Sequence, residues 1–377
     1  MTSRALRPDP QVGFTQVVGV GGIGTGTIFA LHGSHTLGRN ESRMGRVVDA
    51  RDYCKLHIVE HYIAVLLGST QGVDTFKVFA VGSVGADTAG ATLIREMADV
   101  GIDTRYVRVE PECRTMFSAV FLYPDKSGGN ITASNSAASK LSSDQLADCR
   151  HPLAKAGAGG IALCLPEVPL DKREEFLRMA TECGSYRVAS FTSEEMKSAR
   201  ELKLLASIDL LALNREEAIE FAGGNLREAS EDQLLDACSS VAMSANPTMK
   251  ILVSTGAAGA YVFECGHWSK HEAVPMEAIS TAGAGDALLA GTIAGLAAGM
   301  PLSEAKDVVA NGENSIGSAI DLGLILAAFS VMSPHTIHPE VTLESLLSFA
   351  EEKGFVVPRG MAQIVTATGA NAGSLPE

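Results

Sequence analysis

The 377-residue chain lacks the cysteine pairing of a disulfide-stapled protein. Its seven cysteines, Cys54, Cys113, Cys149, Cys164, Cys183, Cys238 and Cys265, are odd in number, widely spaced and contain no C-x-x-C pair. They read as free thiols of a reducing cytoplasm. Positive charge is also scarce: 30 Lys and Arg against 44 Asp and Glu give a net charge of −14. That balance repels nucleic acid and anionic membrane as nonspecific partners but leaves room for a local basic phosphate site. No long apolar run is present. The longest stretch, 287–300, falls short of the ~20 residues that a bilayer-spanning helix needs. The run that follows the first 15 residues is broken by Gly19, Gly21, Gly22, Gly24 and Gly26, unlike a signal-peptide core. There is no internal repeat, and a soluble protein is expected. With 46% hydrophobic residues the length suffices for one large α/β domain or two.

The short β-rich runs Gln16–Val20 and Lys77–Val81 both end in glycine and are predicted as buried parallel strands. Helical spacing of apolar residues predicts helices over 54–67 and 87–100, the second closed by Gly101. From Thr104 to Tyr123 the pattern becomes alternating around Pro111-Glu112, which predicts a hairpin. Apolar runs at 160–165, 187–189, 210–213 and 251–254, separated by helical stretches, predict a doubly wound and mostly parallel sheet. Further helices are expected over 283–299 and 302–319.

The stretch that speaks most directly to chemistry is Ser280-Thr281-Ala282-Gly283-Ala284-Gly285-Asp286, followed at once by a small-residue and leucine-rich helix. Glycine and alanine leave the main chain bare, so N–H groups at the mouth of the helix can grip an anion, and the helix dipole favours negative charge there. An aspartate at that point can take a hydroxyl proton or orient a hydroxyl oxygen. The bland alternative is a loop and an Asp cap before a buried helix.

This spelling closely resembles the T-x-G-A-G-D signature of the ribokinase-like (pfkB) carbohydrate kinases. The resemblance extends from about Val17 to Gly354 and is strongest in the C-terminal half. It implies an α/β fold with a ribokinase-like, doubly wound, mostly parallel sheet flanked by helices. A small β lid from about 25–50 and 104–124 would lie beside the kinase domain 16–359, between a flexible segment 1–15 and a loose tail 360–377. It implies Asp286 as catalytic base with Gly283, Ala284 and Gly285 as the anion hole. Asn214-Arg215-Glu216-Glu217 resembles the family's N-x-x-E motif, which implies that Asn214 and Glu217 place Mg²⁺ and phosphate, with Glu217 toward the metal. Alone, the same four residues are an Asn cap with a capping-box Glu. Ser254 and Gly256 resemble the nucleotide-contacting turn, and Thr281 and Asn314 complete the expected ATP contacts. Glu167, in Leu165-Pro166-Glu167, resembles a glutamate near the sugar, with a surface loop acid as the bland alternative.

Two departures from the family pattern fall on the acceptor side. After the first strand stands Gly21-Gly22-Ile23-Gly24-Thr25-Gly26 with no acid, and 49–61 holds no Gly-Gly pair. Gly22, Asp52, Glu167 and Asp286 are the acceptor candidates, and Asp49, Asp52 or Lys55 could stand in for the missing groups. The resemblance implies an ATP- and Mg²⁺-dependent kinase for a hydroxymethyl group of a sugar or nucleoside, and a homodimer through the lid.

Three other classes have sequence support. Gly19-Val20-Gly21-Gly22-Ile23-Gly24 satisfies the G-x-G-x-x-G dinucleotide fingerprint, but no convincing helix follows it. His57-Ile58-Val59-Glu60-His61 matches an H-x-x-E-H zinc-peptidase pattern without a clear third ligand. A non-catalytic sugar- or nucleotide-binding regulator is the third, which an intact Asp286 argues against.

Overall fold

Runs such as Val17-Val18-Gly19-Val20 and Leu210-Leu211-Ala212-Leu213 are apolar at every position, and in the computed structural model they are strands covered on both faces. The structure describes residues 2–9, 11, 13–69, 76–125, 128–303, 314–358 and 361–366. The pleat splits each strand between two cores. Val17, Ile161, Leu163, Leu210 and Ala212 face one side. Val18, Ala162, Cys164, Leu211 and Leu213 face the other.

The central sheet has nine strands in the order His267–His271, Ala260–Glu264, Lys250–Ser254, Leu210–Asn214, Tyr186–Ser190, Gly160–Cys164, Gln16–Val20, Lys77–Gly85, Ile102–Glu110. All neighbours are parallel except at the Ala260–Glu264 strand, which runs antiparallel to both of its partners. Helices Lys55–Leu67, Ala284–Ala297, Ala319–Ser330 and Leu343–Glu352 cover one face. Ser143–Ala156, Leu170–Glu182, Ser193–Glu201, Arg215–Ala222 and Glu231–Ala245 cover the other. The doubly wound, mostly parallel α/β expectation is met. Among the described residues no helix is long and apolar enough to cross a membrane.

A second sheet forms beside it from Gly45–Val47, Gly24–Leu31, Met116–Leu122 and Gly128–Thr132, with Asp52–Tyr53 pairing on Gly24–Leu31. Here the hairpin expectation fails. Ile102–Glu110 pairs parallel with Lys77–Gly85 in the central sheet, whereas Met116–Leu122 pairs parallel with Gly24–Leu31 in the small one. The stretch is two strands of different sheets, the first with Tyr106 and Val107 packed toward opposite cores, and Pro111-Glu112 is the crossing between sheets rather than a turn within one. Within the end segments expected to be loose, Thr2–Leu6 pairs antiparallel with Ala362–Thr366 and Leu6 enters the core, while residues 367–377 lie outside the described residues. The helix expected over 302–319 lies partly outside the described residues. Its end, Asn314–Ser315, is extended and pairs with Phe355–Val356.

Candidate active site

Parallel strands end together, so their connections crowd one edge of the sheet. At that edge lies a cavity of about 850 Å³, lined among others by Lys55, Asn214, Glu217, Ser254, Gly256, Thr281, Ala284, Gly285 and Asp286. Most residues expected to hold nucleotide or phosphate therefore converge from across 214–286, joined by Lys55 from far earlier in the chain.

The turn before the helix Ala284–Ala297 explains its own spelling. Gly283 caps the helix at φ 78°, a left-handed conformation that glycine adopts without penalty, and a Cβ there would stand 2.7 Å from the Thr336 carbonyl oxygen. The first intrahelical bond runs from the Ala287 amide to Gly283, so the amides of Ala284, Gly285 and Asp286 precede the ladder. The Ala284 amide donates to the Thr281 carbonyl at 3.3 Å. That shifts the expected anion grip toward Gly285 and Asp286. Across the cavity Ser254 Oγ is the nearest group to Gly285.

Asn214 and Glu217 form a reciprocal capping box. Glu217 N donates to Asn214 Oδ1 and Asn214 N donates to Glu217 Oε2, both at 2.9 Å. The bland and the functional expectations coincide here, since the cap fixes both side chains at the cavity wall. Glu217 Oε1 is 3.6 Å from Lys55 Nζ, so both carboxylate oxygens already have partners. Among the described residues no group of three or more His, Cys, Asp or Glu side chains is arranged to hold a metal ion. Each oxygen of Glu217 keeps a lone pair beyond its present contact, so the carboxylate fits a phosphate-borne Mg²⁺ reached through water.

Asp286 sits in a field that opposes its ionisation. Removal from water raises its pKa from 3.8 to about 6, Glu217 and Asp52 push the same way, and the Lys55 cation pulls it down. Glu167 is raised to about 7 by burial first, with Lys55 lowering it and Asp286 raising it. Lys55 holds its own proton above the ordinary value, because Asp286, Glu217 and Glu167 outweigh its burial.

Gly22, Asp52 and Glu167 do not line the cavity; they adjoin it through Lys55 and Asp286. Gly22, Gly24 and Gly26 share one face of the extended chain. A Cβ at Gly22 would stand 2.9 Å from Glu167 Oε2, one at Gly24 2.9 Å from Cys54 Sγ, and one at Gly26 would overlap Asp52 Oδ2 and Ser118 Oγ. Gly22 and Gly26 thus make room for buried acidic side chains, and Gly24 for Met116 and Cys54. Asp52 accepts from Ser118 Oγ at 2.7 Å, and its pKa is raised by burial. Glu167 has φ 76°, which is strained for a residue with a side chain. Its Oε2 is buried without a hydrogen-bond partner among the described residues.

Thr336 locks these parts together. Its hydroxyl accepts from Tyr53 N at 3.0 Å, its amide donates to the Arg51 carbonyl at 3.1 Å, and Gly283 packs on its carbonyl. Sequence reasoning missed Thr336, Ser118 and Cys54, whose roles depend on strand pairing. It also missed the apolar wall of Val274, Pro275, Met276, Leu324, Ala328 and Val331. Asn314 takes part in the short parallel pairing with Phe355, and its side chain lies outside the described residues.

The competing motifs resolve differently. A strand, Gly24–Leu31, follows the G-x-G-x-x-G run where a dinucleotide site needs a helix. His57 is buried and His61 half-buried on the helix Lys55–Leu67, and removal from water lowers them to about 3 and about 4, which keeps both neutral.

The sequence profile of the pfkB family carbohydrate kinases matches residues 62–311. Among solved structures, the ribokinase of Giardia lamblia superposes with a TM-score of 0.72 at 15% identity, covering 89% of this chain and 99% of its own. The ribokinase of Arabidopsis thaliana complexed with ribose and ATP gives 0.63 at 18% identity, covering 89% and 98%. The nucleoside kinase of Burkholderia thailandensis in complex with inosine gives 0.63 at 16%, covering 90% and 98%. At these identities the likeness is one of fold.

Proposed function

The chain belongs to the pfkB family of carbohydrate kinases, and from that premise we propose that it transfers the γ-phosphoryl group of ATP to the hydroxymethyl group of a sugar or sugar-like molecule. One observation carries this reading: a partly ionised carboxylate, Asp286, stands in the first turn of a helix whose leading amides open into a nucleotide-sized cavity.

In the proposed step the acceptor oxygen forms a bond to the γ-phosphorus and the bond from that phosphorus to the β,γ-bridging oxygen breaks, leaving ADP. The hydroxyl proton passes to Asp286. In a loose transition state the proton leaves late, so Asp286 first orients the oxygen and then accepts the proton. The amides of Gly285 and Asp286 take up charge on the transferring group, and Lys55 keeps Asp286 ionised enough to act. Mg²⁺, when bound, neutralises phosphate charge; Glu217 would hold it through water, with Asn214 fixing that carboxylate. Ser254, Gly256 and Thr281 border the phosphates, and Val274, Met276 and Leu324 offer an apolar seat for the base.

Asp52 and Glu167 serve the acceptor, replacing the acid absent after the first strand. A nucleoside acceptor is the second reading, because one protein of similar fold binds inosine. Free thiols at all seven cysteines suit a reducing cytoplasm. Exposed Met44, Val47, Phe117 and Ile131 on the small sheet suit a homodimer formed through the lid. The test is ADP release across a panel of sugars and nucleosides, beside Asp286→Asn. Acceptor-dependent turnover that the substitution leaves intact would remove this mechanism.

A further inference from the structure

We infer that the acceptor carries no negative charge: the site takes a free sugar, sugar alcohol or nucleoside and rejects sugar phosphates and sugar acids. The inference rests on the kinase reading above and concerns the acceptor end of that same site. Three carboxylates from separate segments lie at that end, Asp52 against Gly26, Glu167 against Gly22 and Asp286 on its helix; Asp52 opposes the ionisation of Asp286, and Asp286 that of Glu167.

Cations do not balance them. Lys55 and Arg215 are the basic residues of the cavity wall among the described residues. Lys55 is shared among Asp286, Glu217 and Glu167, pairing with Glu217 at 3.6 Å, and Arg215 faces Glu216 at 4.0 Å from a position open to solvent. On the neighbouring segments Arg43 is bound to Glu41 and Arg51 to Glu96, while Arg46 sits on the exposed edge strand of the small sheet. An anionic acceptor entering this end would meet carboxylates that outnumber Lys55, and like charges brought together out of water repel strongly.

Hydroxyl groups suit the same place. The buried Glu167 Oε2, without a partner among the described residues, is an acceptor waiting for a donor. Asp52 takes one hydrogen bond from Ser118 and keeps capacity for more, since an ionised carboxylate accepts about four. The bare positions Gly22 and Gly26 give these side chains their room. That arrangement would have no purpose for a phosphate, whose oxygens also only accept.

The experiment measures acceptor binding by calorimetry and turnover by ADP release on the full chain with Mg²⁺. A non-hydrolysable ATP analogue is present for binding and ATP for turnover. The acceptors are matched pairs, D-fructose with D-fructose 6-phosphate and D-sorbitol with D-gluconate, together with inosine. The expected result is a preference of at least about tenfold for the neutral member, the equivalent of 1.4 kcal/mol. Glu167→Gln and Asp52→Asn, each checked for an unchanged melting temperature, should narrow that preference. Tighter binding or faster turnover of the anionic member overturns the inference and leaves the kinase reading standing. If no acceptor of either charge binds or stimulates ADP release, the kinase reading falls and takes this inference with it.

Discussion

The two ends of the cavity are made of different materials. The nucleotide end draws mainly on turns and apolar side chains from residues 252–289, with the capped helix at Asn214 opposite. The acceptor end gathers single side chains from 52, 55, 118, 167 and 286, delivered by the small sheet, a turn and two helices. One end offers main-chain amides and an apolar seat, which suits a ligand that every kinase of this kind shares. The other is charged and depends on side chains, where a change of one residue alters what is recognised.

Asp286 belongs to both ends, so its replacement should have the largest effect. Asp286→Asn is expected to lower kcat by ~10²–10⁴-fold while leaving the affinity for ATP close to unchanged. The same substitution should stabilise the fold at high pH. The folded carboxyl titrates near 6 against an ordinary 3.8, so the folded protein binds this proton more tightly than the unfolded chain does. Its contribution to stability therefore falls as pH rises from about 4 to about 6 and stays unfavourable above. Because the group is partly open to the cavity, a gain of about 1–2 kcal/mol at pH 8 is expected for the Asn variant, vanishing near pH 4. Chemical denaturation at the two pH values checks it, and equal gains at both would place the effect elsewhere.

Next in size is a variant confined to the acceptor end. Glu167→Gln should raise KM for the acceptor by ~10–100-fold, the loss of one or two hydrogen bonds to a charged group, with KM for ATP moved far less. Ser254→Ala should do the reverse, and more weakly, because Ser254 Oγ touches Leu213 O at 3.4 Å and faces the nucleotide side. If both variants moved both constants together, the division of the cavity into two ends would be wrong.

The division also explains which parts were legible in the sequence. Val17–Val20 and Leu210–Leu213 announce buried strands because both faces are covered, so their apolar character does not depend on what pairs with them. Gly283–Asp286 and Asn214–Glu217 could be read because a turn, a cap and a helix start are local events, complete within a few residues. Glu167 and Asp52 could be named only as candidates. Their meaning depends on Gly22 and Gly26 lying opposite them, which strand pairing alone decides. The same dependence hid Ser118 and Thr336 and turned two strands of different sheets, Ile102–Glu110 and Met116–Leu122, into an apparent hairpin.

The glycine face gives a structural test of the acceptor end. Gly26→Ala would place a methyl group onto Asp52 Oδ2 and Ser118 Oγ, and something must shift. A loss of about 1–3 kcal/mol in stability is expected, as for overpacking in a filled core. Weakened acceptor binding should accompany it. At Gly256 a Cβ meets no atom within 4 Å, and its positive φ of 61° alone would make Gly256→Ala costly, by about 1 kcal/mol. Acceptor affinity should be spared there.

The smallest effect is a shift rather than a loss, and it isolates the one cation the two ends share. In the proposed mechanism Asp286 acts as the ionised carboxylate, so kcat/KM for the free enzyme should climb with pH through about 6 and then level. Lys55 lowers the pKa of both Asp286 and Glu167 by simple attraction. Lys55→Met removes that attraction while Glu217 and Asp52 go on repelling. The acidic limb should therefore move upward, by about one pH unit, the low end of what a nearby opposite charge produces. Activity at pH 8 would fall less than activity at pH 6. A limb that stays in place in the Met variant would mean that the titrating group is not Asp286, and a limb that moves downward would mean that Lys55 acts through the phosphates rather than through the carboxylates beside it.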